Sequence, residues 1–280
     1  MLLKNTYNEF IKILSKPRSY LGIGALTLLV GIIIFAMKAD GRSIISFVTS
    51  SFEQTLTFNG DVLNGNLIAF IILQMLIVHI PLLVALVTGD LISGEAAMGT
   101  IRMLATKPIS RTNIVFSKFI AGAIYTMFLT LWLGFIALFV SRQIFGTGDL
   151  IVLNSDGLVI LQDADILWRF GLGFCVAFLS LLTVSTLSIA LSAFAENSIG
   201  PIVSTMAIII LFTIIGTFDL PVFNQLKPFL FTTHMIIWRN LFDNPLPTEQ
   251  IFVSIGVLVL HIVLFLAITF YHFKRKDITQ

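Results

Sequence analysis

The 280-residue chain has little charge. Asp, Glu, Lys and Arg make up 11% of it, against an apolar share of 57% and a mean hydropathy of +0.99. A water-soluble domain covers its surface with about a quarter charged residues, so this composition excludes one. There is one cysteine, Cys175, which excludes an intrachain disulfide framework and a cysteine-built metal cluster. The spacings that carry common chemistries are also missing. Without G-x-x-x-x-G-K-[ST] the chain does not bind ATP by a P-loop, and without H-E-x-x-H or G-x-S-x-G it lacks the residues for intramembrane hydrolysis. It reads as no enzyme by itself, and any transport it supports draws energy from a partner.

What is present is apolar and continuous. Six stretches reach the roughly 20 residues needed to cross a bilayer. They run approximately Tyr20–Met37, Leu67–Gly89, Phe119–Val140, Phe170–Phe194, Ile199–Phe218 and Ile251–Tyr271, each with no acid, lysine or arginine inside. The expected fold is therefore all-α and polytopic. One membrane domain fills residues 1–280: an interfacial helix over 1–19, six spans over 20–271, a loop at 90–113 and a tail at 272–280. Lys38 follows the first run where a signal peptide would show small residues, so that run is read as retained.

Lys and Arg placement sets the expected orientation. The N-terminus, the 90–118 loop, the 195–198 turn and the tail carry eleven bases against five acids. The remaining loops carry six bases against ten acids. Both termini are expected to be cytoplasmic in a cell membrane (inner or plasma), which requires an even number of spans. Within the spans the strongly polar groups are His79, His261 and Gln74, and a lone histidine with no carboxylate nearby reads as a helix–helix hydrogen bonder. The small hydroxyls of the fourth and fifth spans, with Ser188/Ser192 and Gly200/Ser204 at four-residue spacing, favour close helix packing over a dimer interface or a substrate path.

Outside the spans, Leu2–Ser19 reads as a short amphipathic helix ended by Pro17, with Phe10, Ile13 and Leu14 on one face. Ile44–Phe58 repeats apolar residues every four and suits a surface helix. Leu150–Leu153 and Leu158–Leu161 flank Asn154-Ser155-Asp156-Gly157, a hairpin signal. Four prolines break 219–250 into short pieces, and its apolar segment Phe229–Trp238 is too short to span.

The loop after the second span is the most informative segment. Glu95–Thr106 favours a short helix, with Ser93 placed to cap it and Pro108 to end it. Ser110 suits the N-cap of the third span, but Arg111 and Lys118 in its first turns oppose the helix dipole. Both glycines of the loop, Gly94 and Gly99, permit close approach of another surface.

The segment resembles the signature of ABC-2 type transporter permeases. That family shows a loop of the form E-x-x-x-G-T followed by a hydrophobic residue, then a P-(hydrophobic)-(S/G)-R turn and a lysine. Here these are Glu95, Gly99, Thr100 and Ile101, then Pro108, Ile109, Ser110 and Arg111, then Lys118. The Ala195–Ser198 turn resembles the family's second cytoplasmic connection. The resemblance extends to the interfacial N-terminal helix, the six spans and the broken segment before the last one.

It implies a permease subunit that pairs with a second copy or a homologue and with two cytoplasmic ABC ATPase subunits. ATP and Mg are then bound by the ATPases, and no cofactor or metal by this chain. A coupling helix at 94–107 would seat on the ATPase through Glu95, Gly99, Thr100, Arg102, Met103, Pro108 and Arg111, and loss of Glu95 or Arg102 would uncouple transport without unfolding. The remaining partners are the lipid bilayer and an outer-face or periplasmic protein against the acidic loop 141–167; nucleic acid is not among them. Two other classes stay open: a non-transporting scaffold for an ATPase or assembly complex, and a secondary transporter or channel, for which the spans lack charged residues.

Overall fold

Charge-free runs become helices in lipid because each backbone N–H and C=O must be satisfied within its own segment. The computed structural model describes residues 2–49, 63–76, 79–100, 109–154 and 157–275. In order, the elements are α1 (Leu2–Ser15), α2 (Pro17–Thr49), α3 (Gly65–Leu76), α4 (Ile80–Thr88), α5 (Ser93–Ala97) and α6 (Arg111–Gly134). A π-helical turn (Phe135–Val140) then joins α6 to α7 (Ser141–Phe145), and β1 (Leu150–Asn154) and β2 (Gly157–Leu161) follow. The rest is α8 (Asp163–Phe194), α9 (Ile199–Thr217), α10 (Pro221–Leu226), α11 (Phe231–Met235) and α12 (Thr248–Arg275), with 3-10 turns at Lys227–Phe229 and Ile237–Phe242.

Among the described residues, six helical stretches are long and apolar enough to cross a membrane: Pro17–Gly41, Ile80–Ala97, Arg111–Phe145, Asp163–Phe194, Ile199–Thr217 and Thr248–Arg275. The fold is thus a helical, multi-pass bundle. Among the described residues its one departure from all-α structure is the expected hairpin, whose antiparallel register pairs Leu150 with Leu161 and Asn154 with Gly157.

Two spans differ from their expected form. The second is divided into α3 and α4, because Pro81 in the first turn of α4 has no N–H to donate back along the helix. The first continues to Thr49 and bends at Asp40, whose φ of −143° and ψ of 22° are not helical. The surface helix expected at Ile44–Phe58 therefore begins inside α2, and residues 50–62 lie outside the described residues. The proline-broken stretch before α12 forms short helical pieces. Phe231, Trp238 and Phe242 within it are buried, Trp238 and Phe242 against Phe70 of α3.

Helix α8 is the hub and packs against α4, α6, α9 and α12. Ser180, Thr183, Ser185, Thr186, Ser188 and Ser192 are all fully buried along it. Several return their hydroxyls to their own helix, as in Ser180 Oγ to Val176 O at 3.0 Å and Thr186 Oγ1 to Leu182 O at 2.8 Å. A hydroxyl satisfied in this way costs little to bury and leaves room for close backbones. Gly89 uses that room: a Cβ there would lie 2.8 Å from Ala85 O and 2.9 Å from Ser188 Oγ. On α9, Thr205 is buried but Ser204 faces outward.

The charge count divides the molecule as the bundle does. At one end Lys16 and Arg18 meet Asp90, Ser198 meets Asp90, Arg111 bonds the last carbonyls of α12, and Phe194 stacks on His272. At the other end Arg142 reaches Asn66 and Asp163, and Arg169 donates to the carbonyls of Leu241 and Asp243. The segments carrying the two termini therefore lie at the same end.

The α1 helix inverts the usual pattern. Thr6, Glu9 and Ile13 are buried against the bundle, whereas Leu3, Tyr7, Ile11 and Leu14 form an exposed apolar stripe. The exposed rings Tyr20, Trp168 and Tyr271 lie near helix ends, where amphipathic side chains favour the interface.

At the far end Gly65 starts α3 hard against backbone: a Cβ would sit 2.5 Å from Arg142 Cα and 2.6 Å from its N. Backbone cannot yield as a flexible side chain can. Gly65→Ala is expected to cost roughly 1–3 kcal/mol, read as a fall in melting temperature of the purified protein in detergent. Gly24→Ala, with nothing within 4 Å, is expected to leave it unchanged or slightly raised.

Candidate functional site

The loop between α4 and α6 begins where α4 loses its apolar neighbours, at Gly89 and Asp90. From there to Glu95 it is packed rather than free, and Ala97 to Gly99 are exposed. Asp90, Ser93 and Glu95 are all buried. The expected helix Glu95–Thr106 is shorter in its described part. Helix α5 ends at Ala97, and Gly99 takes a φ of +69°, the left-handed conformation that closes helices at low cost in glycine. Residues 101–108 lie outside the described residues, and Arg102, Met103 and Pro108 with them.

Ser93 does not cap α5, contrary to the expectation from its position. Its hydroxyl donates back to Gly89 O at 2.8 Å. The cap comes from α8: Ser192 Oγ accepts from Ile92 N at 3.2 Å and Ser93 N at 2.8 Å. Two free amides at a helix start attract a hydroxyl oxygen wherever one is in reach, and here the neighbouring span supplies it.

Glu95 belongs to a closed ring of four charges. Its Oε1 lies 2.7 Å from Lys12 Nζ and its Oε2 2.8 Å from Lys118 Nζ. Glu9 completes the ring, with Oε1 2.5 Å from Lys12 and Oε2 2.7 Å from Lys118. Each carboxylate bridges both ammonium groups through different oxygens, and the four sum to zero. The Lys118 side chain is 1% exposed, and the Glu9 and Glu95 side chains 7%. Isolated, a buried charge costs several kcal/mol to desolvate; two carboxylates around Lys118 offset that cost. Burial works against the charge on Lys12, but its hydrogen bonds to Glu9 and Glu95 hold its pKa above the ordinary lysine value.

A second cluster adjoins the ring. The carboxylate of Asp90 pairs with Lys16 Nζ at 2.5 Å and Arg18 Nη1 at 2.9 Å, and accepts from the Ser198 hydroxyl. Between the two clusters is a cavity of about 20 Å³, room for about one water. Gly94 packs on the Asp90 carboxylate, so that a Cβ there would collide with it, whereas Gly99 faces open space.

The site therefore joins α1, the start of α2, α4, α5, α6 and the α8–α9 turn. The cations of α6 that opposed its helix dipole are accounted for. Lys118 is neutralised by the two glutamates. Arg111 Nη1 donates to Phe273 O at 3.3 Å and Lys274 O at 3.0 Å, the negative end of α12. Ser110 caps α6 as expected, accepting from Asn113 N at 3.3 Å. Thr100 donates to Glu95 O at 3.2 Å.

Of the residues expected to couple to a partner, Glu95 is turned inward, Gly99 and Thr100 follow the end of α5, and Arg111 anchors α12. The expectation that Glu95 could be lost without structural effect does not fit a carboxylate that holds a buried lysine. Glu9, Lys12, Lys16, Arg18, Asp90 and Ser192 had no expected role here. The signal for Glu9 was Lys118, a cation flanked by Phe116, Phe119 and Ile120 that needed an acid from another segment.

The membrane histidines bond carbonyls of their own helices or turns: His79 Nδ1 lies 2.9 Å from Met75 O, and His261 Nδ1 2.9 Å from Val257 O. Among the described residues no group of three or more His, Cys, Asp or Glu is placed to hold a metal ion.

Over residues 26–279 the chain matches the family described as "Protein of unknown function (DUF2705)", and it belongs to that family. It is similar to "Uncharacterized protein YhcI" of Bacillus subtilis (strain 168), 24% identical over 201 residues, which are 70% of this chain and 63% of that protein. The chain thus spans a little under two-thirds of that curated relative's length.

The ring makes a quantitative demand. Glu95→Gln leaves Lys118 one carboxylate and is expected to destabilise by about 3 kcal/mol. Glu95→Gln and Lys118→Met should also be non-additive, with a coupling of roughly 1–3 kcal/mol in a double-mutant cycle by detergent melting. Additive effects within about 0.5 kcal/mol would show that the pair contributes nothing specific.

Proposed function

We propose that the chain is the membrane-spanning permease subunit of an ATP-driven transporter of the ABC-2 type. Both termini are cytoplasmic, and the chain works as a dimer, with itself or a homologue, on two separate ATPase subunits. The observation that carries this reading is the mechanical state of the loop after α4. It starts rigidly, clamped by the four-charge ring and the Ser192 cap to α1, α6 and α8, and then passes Gly99 into 101–108. A force on 101–108 would reach α4 along the chain, α6 through Lys118 and α8 through Ser192. A loop serving only as a connection would need none of these clamps. The E-x-x-x-G-T pattern supports the same assignment.

In this reading the roles divide within the loop. Glu95 is the inward anchor, and Arg102 and Met103 meet the ATPase groove. ATP binding draws the ATPases together, the loop moves with them, and the membrane helices follow through the ring. The chain supplies no chemistry to hydrolysis.

Cysteine cross-linking tests the division. In a Cys175→Ser background, Met103→Cys is expected to form a cross-link with a copurifying ATPase subunit and to respond to ATP. Arg102→Ala should lower substrate-stimulated ATP hydrolysis in vesicles at least several-fold while leaving the melting temperature unchanged. A chain that copurifies with no ATP-binding subunit is not a permease of this kind. One that binds an ATPase whose hydrolysis never responds to any substrate is a scaffold.

A further inference from the structure

Far from the charged ring lies a cavity of about 170 Å³ that the coupling reading does not use. It sits beside the break in the second span, between Pro81 at the start of α4, Ile209 to Thr217 on the later half of α9, and Thr232 and Thr233 on α11. Ile209 is ten residues beyond the start of α9 at Ile199, so the cavity begins about 15 Å along the helix from the Asp90 cluster. Most of its lining is apolar. One wall is α9, whose outward face carries Ile210, Leu211 and Ile214 and is suited to lipid.

Two features mark it as more than a packing defect. The first is size: an engineered apolar cavity of about 150 Å³ already accepts benzene. The second is unmet hydrogen bonding. Thr232 Oγ1 and Thr233 Oγ1 are buried, and neither has a hydrogen-bond partner among the described residues. Thr232 is 8% exposed. On α8, Ser180, Thr183 and Thr186 each return a hydrogen bond to their own helix and only Ser185 there, among the described residues, is left without one; that lone hydroxyl is packed in the bundle, whereas Thr232 and Thr233 line a hollow. An orphaned buried hydroxyl costs free energy, and two side by side in a hollow favour a ligand that supplies an acceptor.

We propose that this cavity binds a small amphipathic molecule, an apolar chain or ring bearing one oxygen acceptor, which enters from the bilayer past α9. The apolar part fills the space between Ile209, Met235 and Pro81. The oxygen accepts from Thr232 and Thr233. This goes beyond the permease reading and does not depend on it, because its readout is occupancy of the isolated chain rather than transport or ATP hydrolysis.

The test uses the 280-residue chain in detergent micelles and a diazirine-bearing short-chain alcohol as photolabel, with adducts mapped by peptide mass spectrometry. Adducts are expected to concentrate on 209–217 and 231–236 and to be displaced by excess unlabelled alcohol. Thr232→Val with Thr233→Val should weaken labelling roughly 2- to 12-fold per hydrogen bond lost. That double variant should melt at or above the wild-type temperature without ligand, because it replaces unsatisfied hydroxyls by methyl groups. Ile209→Trp fills the cavity and should abolish the labelling. Adducts spread evenly over the outward faces of all the helices would overturn the proposal. So would wild-type labelling of the double valine variant, whose expected stability keeps the test valid even if the tryptophan variant does not fold.

Discussion

The structure depends on Lys118 having two carboxylates. A lysine seven residues inside a membrane helix is unaffordable alone, and everything around it is arranged to prevent that. Glu9 comes from a helix at the start of the chain and Glu95 from a loop more than eighty residues later. Lys12 then neutralises what remains on both acids. Three segments that apolar packing alone would leave free to slide are fixed in one register, because a shift of one helical turn, about 5.4 Å, would unpair every member at once. Apolar contacts tolerate such slips; a closed ring of ion pairs does not.

The ring also explains why so small an element as α5 is well defined. Five residues cannot hold a helix by their own hydrogen bonds. Here the amides at its start are bonded by Ser192, its first-turn carboxylate is fixed by two lysines, and Gly94 packs against Asp90. Stability is borrowed from the spans, and the borrowing ties the loop to them. On the opposite end Arg142, Asn66 and Asp163 do for α3, α7 and α8 what the ring does for α1, α5 and α6. The bundle is thus polar-stitched at both ends and apolar between, with α8 common to both.

Much of this was legible in the sequence. Six spans followed from runs too long and too free of charge for any other use, the hairpin from its turn residues, and the gathering of charged segments at one end from the distribution of Lys and Arg. Ser110 as a cap could be read because its partner, Asn113 N, is three residues away. What escaped was set by distant residues. Ser93 looked like a cap, yet the oxygen that does the work is Ser192, ninety-nine residues on, and spacing along a chain does not encode that. Glu95 looked outward because a carboxylate in a polar loop usually is, and its true environment depends on Lys118. The division of the second span was signalled by Pro81, but hydropathy is blind to a missing amide hydrogen.

The inverted face of α1 has a mechanical consequence. A helix with Glu9 inward and Leu3, Tyr7, Ile11 and Leu14 outward cannot lift off the bundle freely, since leaving would strip the ring of half its members. The movement that keeps the ring closed is a swing of the helix ends about Glu9 and Lys12. It is held like a keel, tied through the ring to α5 and α6 and resisting any pull away from the bundle.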